Sequence, residues 1–324
     1  MDLAARLLAG DQLALARAIS AVENGADEAG AILAAVHHRV GGAAVIGFTG
    51  APGAGKSTLV GSYVTWLRAR GRKVAVLAVD PSSPHSGGAV LGDRVRMPPA
   101  DADGLFIRSL AARGNLGGLS PAAPLVIDLM DAAGFDTVVI ETVGTGQSEI
   151  DIAALAAVTV VVCAPGMGDQ LQAIKAGLLE IADVLVVNKG DSPLAAATVR
   201  DFLGALHRRA DRPRDVPVLT TTATTGAGVK ALAEAIAQRL AKTPPPPTEG
   251  DRRLRRMLAA LAAETMRAAV IGGKDPRIDD ICAAVRRGGL TVEAAVRLLS
   301  TVWFIESAPT VGHEDTETES TGGP

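Results

Sequence analysis

Six short apolar segments alternate with stretches of helical periodicity, and this alternation constrains the fold more than any other feature of the chain. The apolar segments are residues 44–48, 74–79, 137–140, 158–163, 184–187 and 216–219. The helical stretches are residues 57–70, 121–133, 171–180, 194–209 and 229–240. Short strands that are apolar on both faces and are separated by helices form parallel sheets covered by helices on both sides. We therefore expect an α/β fold with a mostly parallel sheet.

Helical extensions are predicted at both ends of this region. In residues 2–40, Leu15, Ile19 and Val22 share one helix face, and Asp11 is the predicted N-cap of that helix. Four prolines at residues 244–247 form a stiff spacer, and helices are predicted beyond it near residues 252–270, 278–285 and 292–299. Apolar faces on these last helices are expected at a homodimer interface, and one example is the face with Ile278, Ile281, Cys282 and Val285.

The predicted organisation therefore has four parts. Residues 1–40 form N-terminal helices, 41–243 the α/β domain, 244–305 a C-terminal helical dimerisation segment and 306–324 an acidic, disordered tail. The net charge of -3, with 32 basic and 35 acidic residues, gives no overall attraction to nucleic acid or to an anionic membrane. Two isolated cysteines imply neither a disulfide framework nor a zinc site. The first residues lack the pattern of a signal peptide, so we expect a cytoplasmic protein.

A glycine-rich loop follows the first predicted strand and opens a helix. It fits GxxxxGK[ST] and consists of Gly50, Ala51, Pro52, Gly53, Ala54, Gly55, Lys56 and Ser57, followed by Thr58. Glycines let backbone N–H groups surround phosphate oxygens, and the helix N-terminus adds a positive dipole end. We expect Lys56 to reach the β- and γ-phosphates and Ser57 to bind Mg²⁺. The alternative is a strand–helix turn without a ligand, but strand, loop, lysine, hydroxyl and helix coincide here.

Two further strand ends indicate that the base is guanine. An NKxD sequence after residues 184–187 consists of Asn188, Lys189, Gly190 and Asp191. A carboxylate at the last position accepts hydrogen bonds from N1–H and the exocyclic amine of guanine, donors that adenine lacks at that edge. The next strand end supplies a backbone N–H for the guanine carbonyl oxygen, and its residues are Thr222, Ala223 and Thr224. The sequence therefore predicts GTP and GDP as substrate and product.

Three acidic residues compete for the metal ion. Asp80 ends the second predicted strand, Asp93 lies in the loop after it, and Glu141 ends the third strand. Carboxylates at strand ends beside a phosphate-binding loop commonly hold Mg²⁺ or its waters, although each one alone could also cap a helix. The predicted metal ligands are Ser57, Asp80, Asp93 and Glu141, and the predicted catalytic residues are Lys56, Asp93 and Glu141.

Several longer motifs together resemble one family. They occupy residues 79–84, 86–97, 113–120, 141–149 and 165–170, with Lys175 and the NKxD sequence. The chain resembles the methylmalonyl-CoA mutase-associated GTPases, the MeaB family of the SIMIBI class of P-loop G proteins, formerly called ArgK, with counterparts in animals. The resemblance implies a P-loop NTPase fold, a G domain, over residues 41–243. Departures from the family pattern are His85, Thr145 and Thr222.

The resemblance also implies a function. It implies a regulatory GTPase that forms homodimers through its C-terminal helices, gates adenosylcobalamin delivery to methylmalonyl-CoA mutase or a related acyl-CoA mutase, and protects that enzyme. A loop over residues 166–175 would be a third switch that relays the nucleotide state to the mutase. Its polar positions are Asp169, Gln170 and Lys175.

Three other interpretations compete with this one. A nickel-insertion maturation GTPase needs clusters of cysteine and histidine, and the chain has two cysteines and five histidines. A kinase acting on a transport-associated protein would need an acceptor-binding insert, which we do not recognise in the sequence. A binding module with a dead nucleotide site is disfavoured by Lys56 and Ser57.

Overall fold

The computed structural model describes residues 2–80, 104–111, 120, 122–142, 148–166, 178–207, 215–242, 262, 266, 270–272 and 276–306. Contacts between residues divide the chain into two units, Met1–Ala259 and Ala260–Pro324. The boundaries expected from the sequence at residues 40, 243 and 305 remain predictions. No helix formed by the described residues combines the length and the apolar character needed to cross a membrane.

The first unit contains a sheet of seven described strands. They are β1 (Ala44–Gly50), β2 (Val74–Asp80), β3 (Leu105–Ala111), β4 (Thr137–Thr142), β5 (Val158–Cys163), β6 (Val184–Val187) and β7 (Val218–Thr220). The strand order is β3-β2-β4-β1-β5-β6-β7, and every neighbouring pair is parallel. The predicted α/β fold with a parallel sheet is confirmed.

The strands differ from the sequence prediction in several places, and β1 and β4 each end two residues later than expected. Strand β3, at one edge of the sheet, was not predicted, because Arg108 and Ser109 interrupt its apolar run. Strand β7 begins two residues later than expected. Pro217, just before it, has no backbone N–H and contributes only its carbonyl, which accepts from the Leu185 N–H at 2.9 Å.

Helices cover both faces of the sheet. In the first unit they are α1 (Leu3–Leu8), α2 (Gln12–Glu23), α3 (Ala29–Val36), α4 (Lys56–Arg68), α5 (Ala123–Ala132), α6 (Ser148–Leu155), α7 (Leu178–Ile181), α8 (Ala195–His207) and α9 (Val229–Lys242). Successive strand residues point to opposite faces, so Val45 packs with α2 and α5 whereas Ile46 packs with α4 and α9. The apolar strands are thus buried on both sides, as parallel strands require.

Helix α2 begins at the predicted cap. The Asp11 carboxylate accepts from the Leu13 N–H at 2.9 Å and the Ala14 N–H at 3.0 Å. The Ala14 N–H and the Arg6 guanidinium lower the pKa of Asp11. The predicted apolar face is confirmed, because Leu15, Ile19 and Val22 are all buried in the core of the first unit.

The second unit contains α10 (Pro276–Arg286) and α11 (Val292–Glu306). The apolar face predicted on α10 is only partly exposed, since Ile278 is 5% exposed. Cys282 is exposed, and Ile281 and Val285 are half-buried. Among the described residues of this unit, the larger exposed apolar side chains are those of Ile271, Val292, Val296 and Leu298.

Candidate nucleotide site

The candidate site lies at the carboxyl ends of the strands, where loops lead from β1, β4, β6 and β7. Gly50 ends β1 with φ +135°, and a Cβ atom there would lie 2.0 Å from the Val162 carbonyl oxygen of β5. A side chain cannot fit between these strands, so the loop leaves the sheet through a position that requires glycine.

The loop then turns into α4 through Gly55. This glycine has a left-handed conformation, φ +84°, and a Cβ atom on it would lie 2.5 Å from the Asn188 side-chain nitrogen. As the N-cap residue of α4, Gly55 has no side chain to bond the first-turn N–H groups. The first-turn N–H groups and the positive end of the helix dipole therefore face the position where the sequence predicts phosphates.

Lys56 folds back over this loop. Its side chain is buried, and Nζ donates to the carbonyl oxygens of Gly50 at 2.8 Å and Ala51 at 3.0 Å. These bonds hold the ammonium group at the mouth of the loop. A lysine held there can contact the outer phosphates of a nucleotide with little side-chain rearrangement.

Ser57 and Glu141 form a buried polar pair beneath the loop. Ser57 Oγ donates to Glu141 Oε1 at 2.6 Å, and the two residues are 8% and 4% exposed. Parallel pairing of β1 with β4 places Glu141 beside Phe48, directly before the loop. A hydroxyl and a carboxylate oxygen are hard donors of the kind that Mg²⁺ prefers, so the residues present fit a magnesium ion.

The other acidic candidates cannot be placed in the same detail. Asp80 ends β2, two strands away from β1, but only its backbone belongs to the described structure. Asp93, Asp169, Gln170 and Lys175 lie outside the described residues, as do the departures His85 and Thr145. Their predicted roles remain predictions.

Asn188 joins the phosphate loop to the predicted base-binding loops. Its Nδ2 donates to the carbonyl oxygens of Ala54 at 2.9 Å and Gly55 at 3.3 Å. Its Oδ1 accepts from Thr221 Oγ1 and from the Ala223 N–H, both at 3.1 Å. The side chain is 2% exposed. All four hydrogen bonds are made to protein groups. They join the phosphate-binding loop, the NKxD turn and the loop at residues 221–223, so Asn188 sets the relative positions of these three loops.

The rest of the NKxD sequence forms a tight turn. Lys189 has φ +56°, and the Gly190 N–H donates to the Thr221 carbonyl at 2.8 Å. A Cβ atom on Gly190 would lie 2.4 Å from Thr220 Cγ2, so a larger residue does not fit. The turn leaves the Asp191 side chain exposed, where a ligand can reach it.

Two polar contacts around the site were not expected from the sequence. Thr142 Oγ1 donates to Thr49 Oγ1 at 3.1 Å, which links the ends of β4 and β1. Ser62 Oγ, on α4, donates to the Ala223 carbonyl at 2.6 Å. No motif signals either contact, because both depend on which strands and helices are neighbours.

The parallel sheet, the phosphate-binding loop and the NKxD turn define a P-loop GTPase. The family described as methylmalonyl Co-A mutase-associated GTPase MeaB matches residues 15–274. The chain belongs to this family and is a GTPase, which confirms the resemblance seen in the sequence.

Individual relatives support the assignment of the chain to this family. A protein of Pyrococcus horikoshii named as a GTPase is 46% identical over 240 residues, which are 72% of this chain and 76% of that protein. The GTPase ArgK of Escherichia coli is 41% identical over 244 residues, 71% of this chain and 73% of ArgK. The mouse mitochondrial methylmalonic aciduria type A homolog is 39% identical over 193 residues, 57% of this chain and 46% of that protein.

A solved structure has the same fold. The crystal structure of an LAO/AO transport system kinase superposes with a TM-score of 0.65 and 28% sequence identity. The alignment covers 94% of this chain and 97% of that chain.

Proposed function

We propose that this chain is a magnesium-dependent, GTP-hydrolysing chaperone of an adenosylcobalamin-dependent acyl-CoA mutase, with methylmalonyl-CoA mutase as the partner. It would gate cofactor loading, protect the mutase and act in the cytoplasm as a homodimer. The observation that carries the proposal is the family match over residues 15–274, because the family is described as associated with that mutase. The geometry of the nucleotide site supports the hydrolytic part.

The phosphate half of the site rests on α4 and the loop before it. We propose that residues 50–58 surround the phosphates with N–H groups, and that Lys56 contacts the β- and γ-phosphates. Ser57 and Glu141, with Asp80 and Asp93 as further candidates, would hold Mg²⁺. When bound, the ion offsets the negative charge that develops as water displaces GDP from the γ-phosphate.

The base half rests on the two loops that Asn188 joins. We propose that Asp191 accepts from N1–H and the exocyclic amine of guanine, and that a backbone N–H from residues 222–224 donates to the guanine carbonyl oxygen. The exposed position of Asp191 beyond the tight Gly190 turn supports this role. Asn188 would position these loops and would not contact the nucleotide, since its side chain is buried and hydrogen-bonded to protein groups.

We expect slow hydrolysis by the isolated chain because of the residue that follows Gly144. Rapid GTPases position the attacking water with a suitable side chain, often a glutamine directly after the glycine of a DxxG element, which residues 141–144 resemble with Glu141 in place of the aspartate. Thr145 stands at that position here, and its side chain is short. We propose that the mutase completes the site by ordering the loops that contain Asp93 and residues 166–175. Asp169, Gln170 and Lys175 would carry this coupling.

Steady-state GTP hydrolysis with and without purified methylmalonyl-CoA mutase tests the proposal. We expect the mutase to raise turnover at least about tenfold, equivalent to about 1.4 kcal/mol of barrier. Lys175→Ala and Asp169→Ala should each lower the ratio of stimulated to unstimulated rate. Lys230→Ala is the control, because Lys230 is an exposed lysine of α9 paired with Glu234.

The outcomes separate the parts of the proposal. An unstimulated wild type would show that this mutase is not the partner, while the GTPase assignment would stand. Stimulation that is unchanged in both loop variants would show that residues 166–175 do not relay the signal.

A further inference from the structure

One hydroxyl group connects the phosphate half of the site to the base half. Ser62 lies on α4, five positions after Ser57, and its Oγ donates to the Ala223 carbonyl at 2.6 Å. The two residues are 161 positions apart in the sequence. At 2.6 Å this bond is at the short end of the range for a hydroxyl donor, so it is a well-formed contact.

Ala223 is held by hydrogen bonds at both its N–H group and its carbonyl group. The Ala223 N–H donates to Asn188 Oδ1 at 3.1 Å, while its carbonyl accepts from Ser62. The Ala223 methyl group is buried in the same apolar cluster as Leu59 and Val60 of α4. The backbone of Ala223 therefore has little freedom to move relative to α4.

The loop beyond Ala223 is itself compact. The Thr222 N–H donates to the Ala227 carbonyl at 2.9 Å, which closes a turn over residues 222–227. Gly228 follows with φ +80°, and a Cβ atom there would lie 2.2 Å from the Thr220 carbonyl oxygen. A closed turn of this kind moves as one piece, so fixing Ala223 fixes the position of Thr224 as well.

We infer that Ser62 is a positioning residue for base recognition, which fixes the loop 222–224 relative to α4 without contacting the nucleotide. The inference rests on the proposed role of that loop in binding guanine. Helix α4 carries the phosphate-binding residues at its amino end, and Ser62 lies further along the same helix. Ser62 therefore sets the separation between the phosphate site and the base site, and its loss weakens base contacts while sparing phosphate contacts.

Calorimetric titration of full-length Ser62→Ala with GDP, ADP and inorganic pyrophosphate tests this inference. Without the Ser62 hydroxyl, the Ala223 carbonyl loses that donor and the loop is less firmly held in the position that binds the base, so binding must also order the loop. We expect GDP to bind about fivefold more weakly, a change equivalent to about 1 kcal/mol. The preference for GDP over ADP should fall, and the affinity for pyrophosphate should stay unchanged.

Two variants provide the controls. Thr65→Val removes a hydroxyl from the same helix, one that donates to the Gly61 carbonyl of its own helix at 2.8 Å, and should bind GDP like the wild type. Ser62→Thr keeps a hydroxyl and should restore most of the GDP affinity. If Ser62→Ala does not fold, Ser62→Cys keeps the shape with a weaker donor and should show a smaller loss of the same kind.

The inference is overturned if Ser62→Ala keeps the full preference for GDP over ADP, or if its pyrophosphate affinity falls as much as its GDP affinity. The second result would mean that Ser62 supports the whole site structurally. A wild type that binds GDP and ADP equally would instead refute the proposed base-binding role of the loop.

Discussion

Gly50 and Gly53 both lie in the phosphate-binding loop at positive φ, but the space around them differs. A Cβ atom on Gly50 would lie 2.0 Å from the Val162 carbonyl oxygen, whereas no described atom lies within 4 Å of that position on Gly53. We expect Gly50→Ala to lower the free energy of unfolding by about 3 kcal/mol, because β1 and β5 must move apart. Gly53→Ala should cost only the left-handed backbone penalty, about 1–2 kcal/mol. Urea unfolding of the ligand-free protein measures both, and equal losses would contradict the steric argument.

Asp191 is expected to control the choice of base. We expect GTP to bind at least about tenfold more tightly than ATP, a difference of about 1.4 kcal/mol. Asp191→Asn should reduce that preference, because an amide cannot accept from both guanine donors as a carboxylate does. Asp201→Asn removes the same charge from an exposed position on α8 and serves as the control. Equal affinities of the wild type for GTP and ATP in calorimetry would rule out guanine recognition.

Residue spacing predicted the loops of the site but not their mutual contacts. The GxxxxGK[ST] and NKxD patterns are local in sequence, so they locate Lys56 and Asn188 directly. The sequence placed Ser57 and Glu141 at one metal site, but their hydrogen bond depends on β4 lying beside β1, and no residue pattern states that order. Ser62 was missed for the same reason, since a serine within a helix has no distinguishing neighbours in the sequence.

Strand β3 is an element that the sequence did not predict. Its sequence breaks the apolar pattern at Arg108, and only the packed structure explains why. Gln12 of α2 donates to the Leu105 carbonyl at 3.3 Å, and Arg108 donates to Ser20 Oγ at 3.1 Å and Glu23 Oε2 at 2.8 Å. Helix α2 thus covers the edge strand and supplies polar partners, which allows an arginine there.

The ion pair between Arg108 and Glu23 is therefore expected to stabilise the packing of α2 against β3. Its side chains are 26% and 12% exposed, whereas those of the Lys230–Glu234 pair are 75% and 57% exposed. We expect Glu23→Gln to lower the free energy of unfolding by about 1–3 kcal/mol, because the half-buried guanidinium loses its counter-charge. Glu234→Gln should change it by less than about 0.5 kcal/mol. Chemical denaturation of both variants compares them, and equal effects would show that burial of the pair does not matter.

Helices lie close to both faces of β1, the strand that leads into the phosphate-binding loop. Helix α4 packs against β1 on one face, and α6 lies close to β1 on the other, where a Cβ atom on Gly47 would approach Ile152 to 2.7 Å. Helix α6 begins at residue 148, shortly after Glu141 and Thr145 in the sequence. The glycine at residue 47 thus permits the close approach of this helix to β1. The apolar strand pattern predicted the strand itself but not this approach.

The C-terminal unit contains none of the residues assigned to the nucleotide site, so its role in the whole molecule must be sought in its own surface. Helix α11 exposes 63% of Val292, 50% of Val296 and 45% of Leu298. Val292 and Val296 are four residues apart and lie on the same side of the helix. The sequence predicted an apolar interface on the C-terminal helices, with the apolar face of α10 as an example, and Ile278 on that face is buried. Helical periodicity identifies an apolar face, but it does not reveal whether the same chain covers it.

We expect the chain to form a homodimer through these exposed residues of α11, because exposed apolar groups on a helix commonly mark an interface. The double variant Val292→Glu and Val296→Glu should sediment as a monomer at concentrations where the wild type is a dimer, since charges would be buried without partners. Leu13→Glu is the control, because Leu13 is 56% exposed on α2 of the first unit and should leave the dimer intact. Truncation after residue 247 should likewise give a monomer. A wild type that sediments as a monomer at all concentrations would contradict the prediction, and a double variant that remains dimeric would place the interface outside α11.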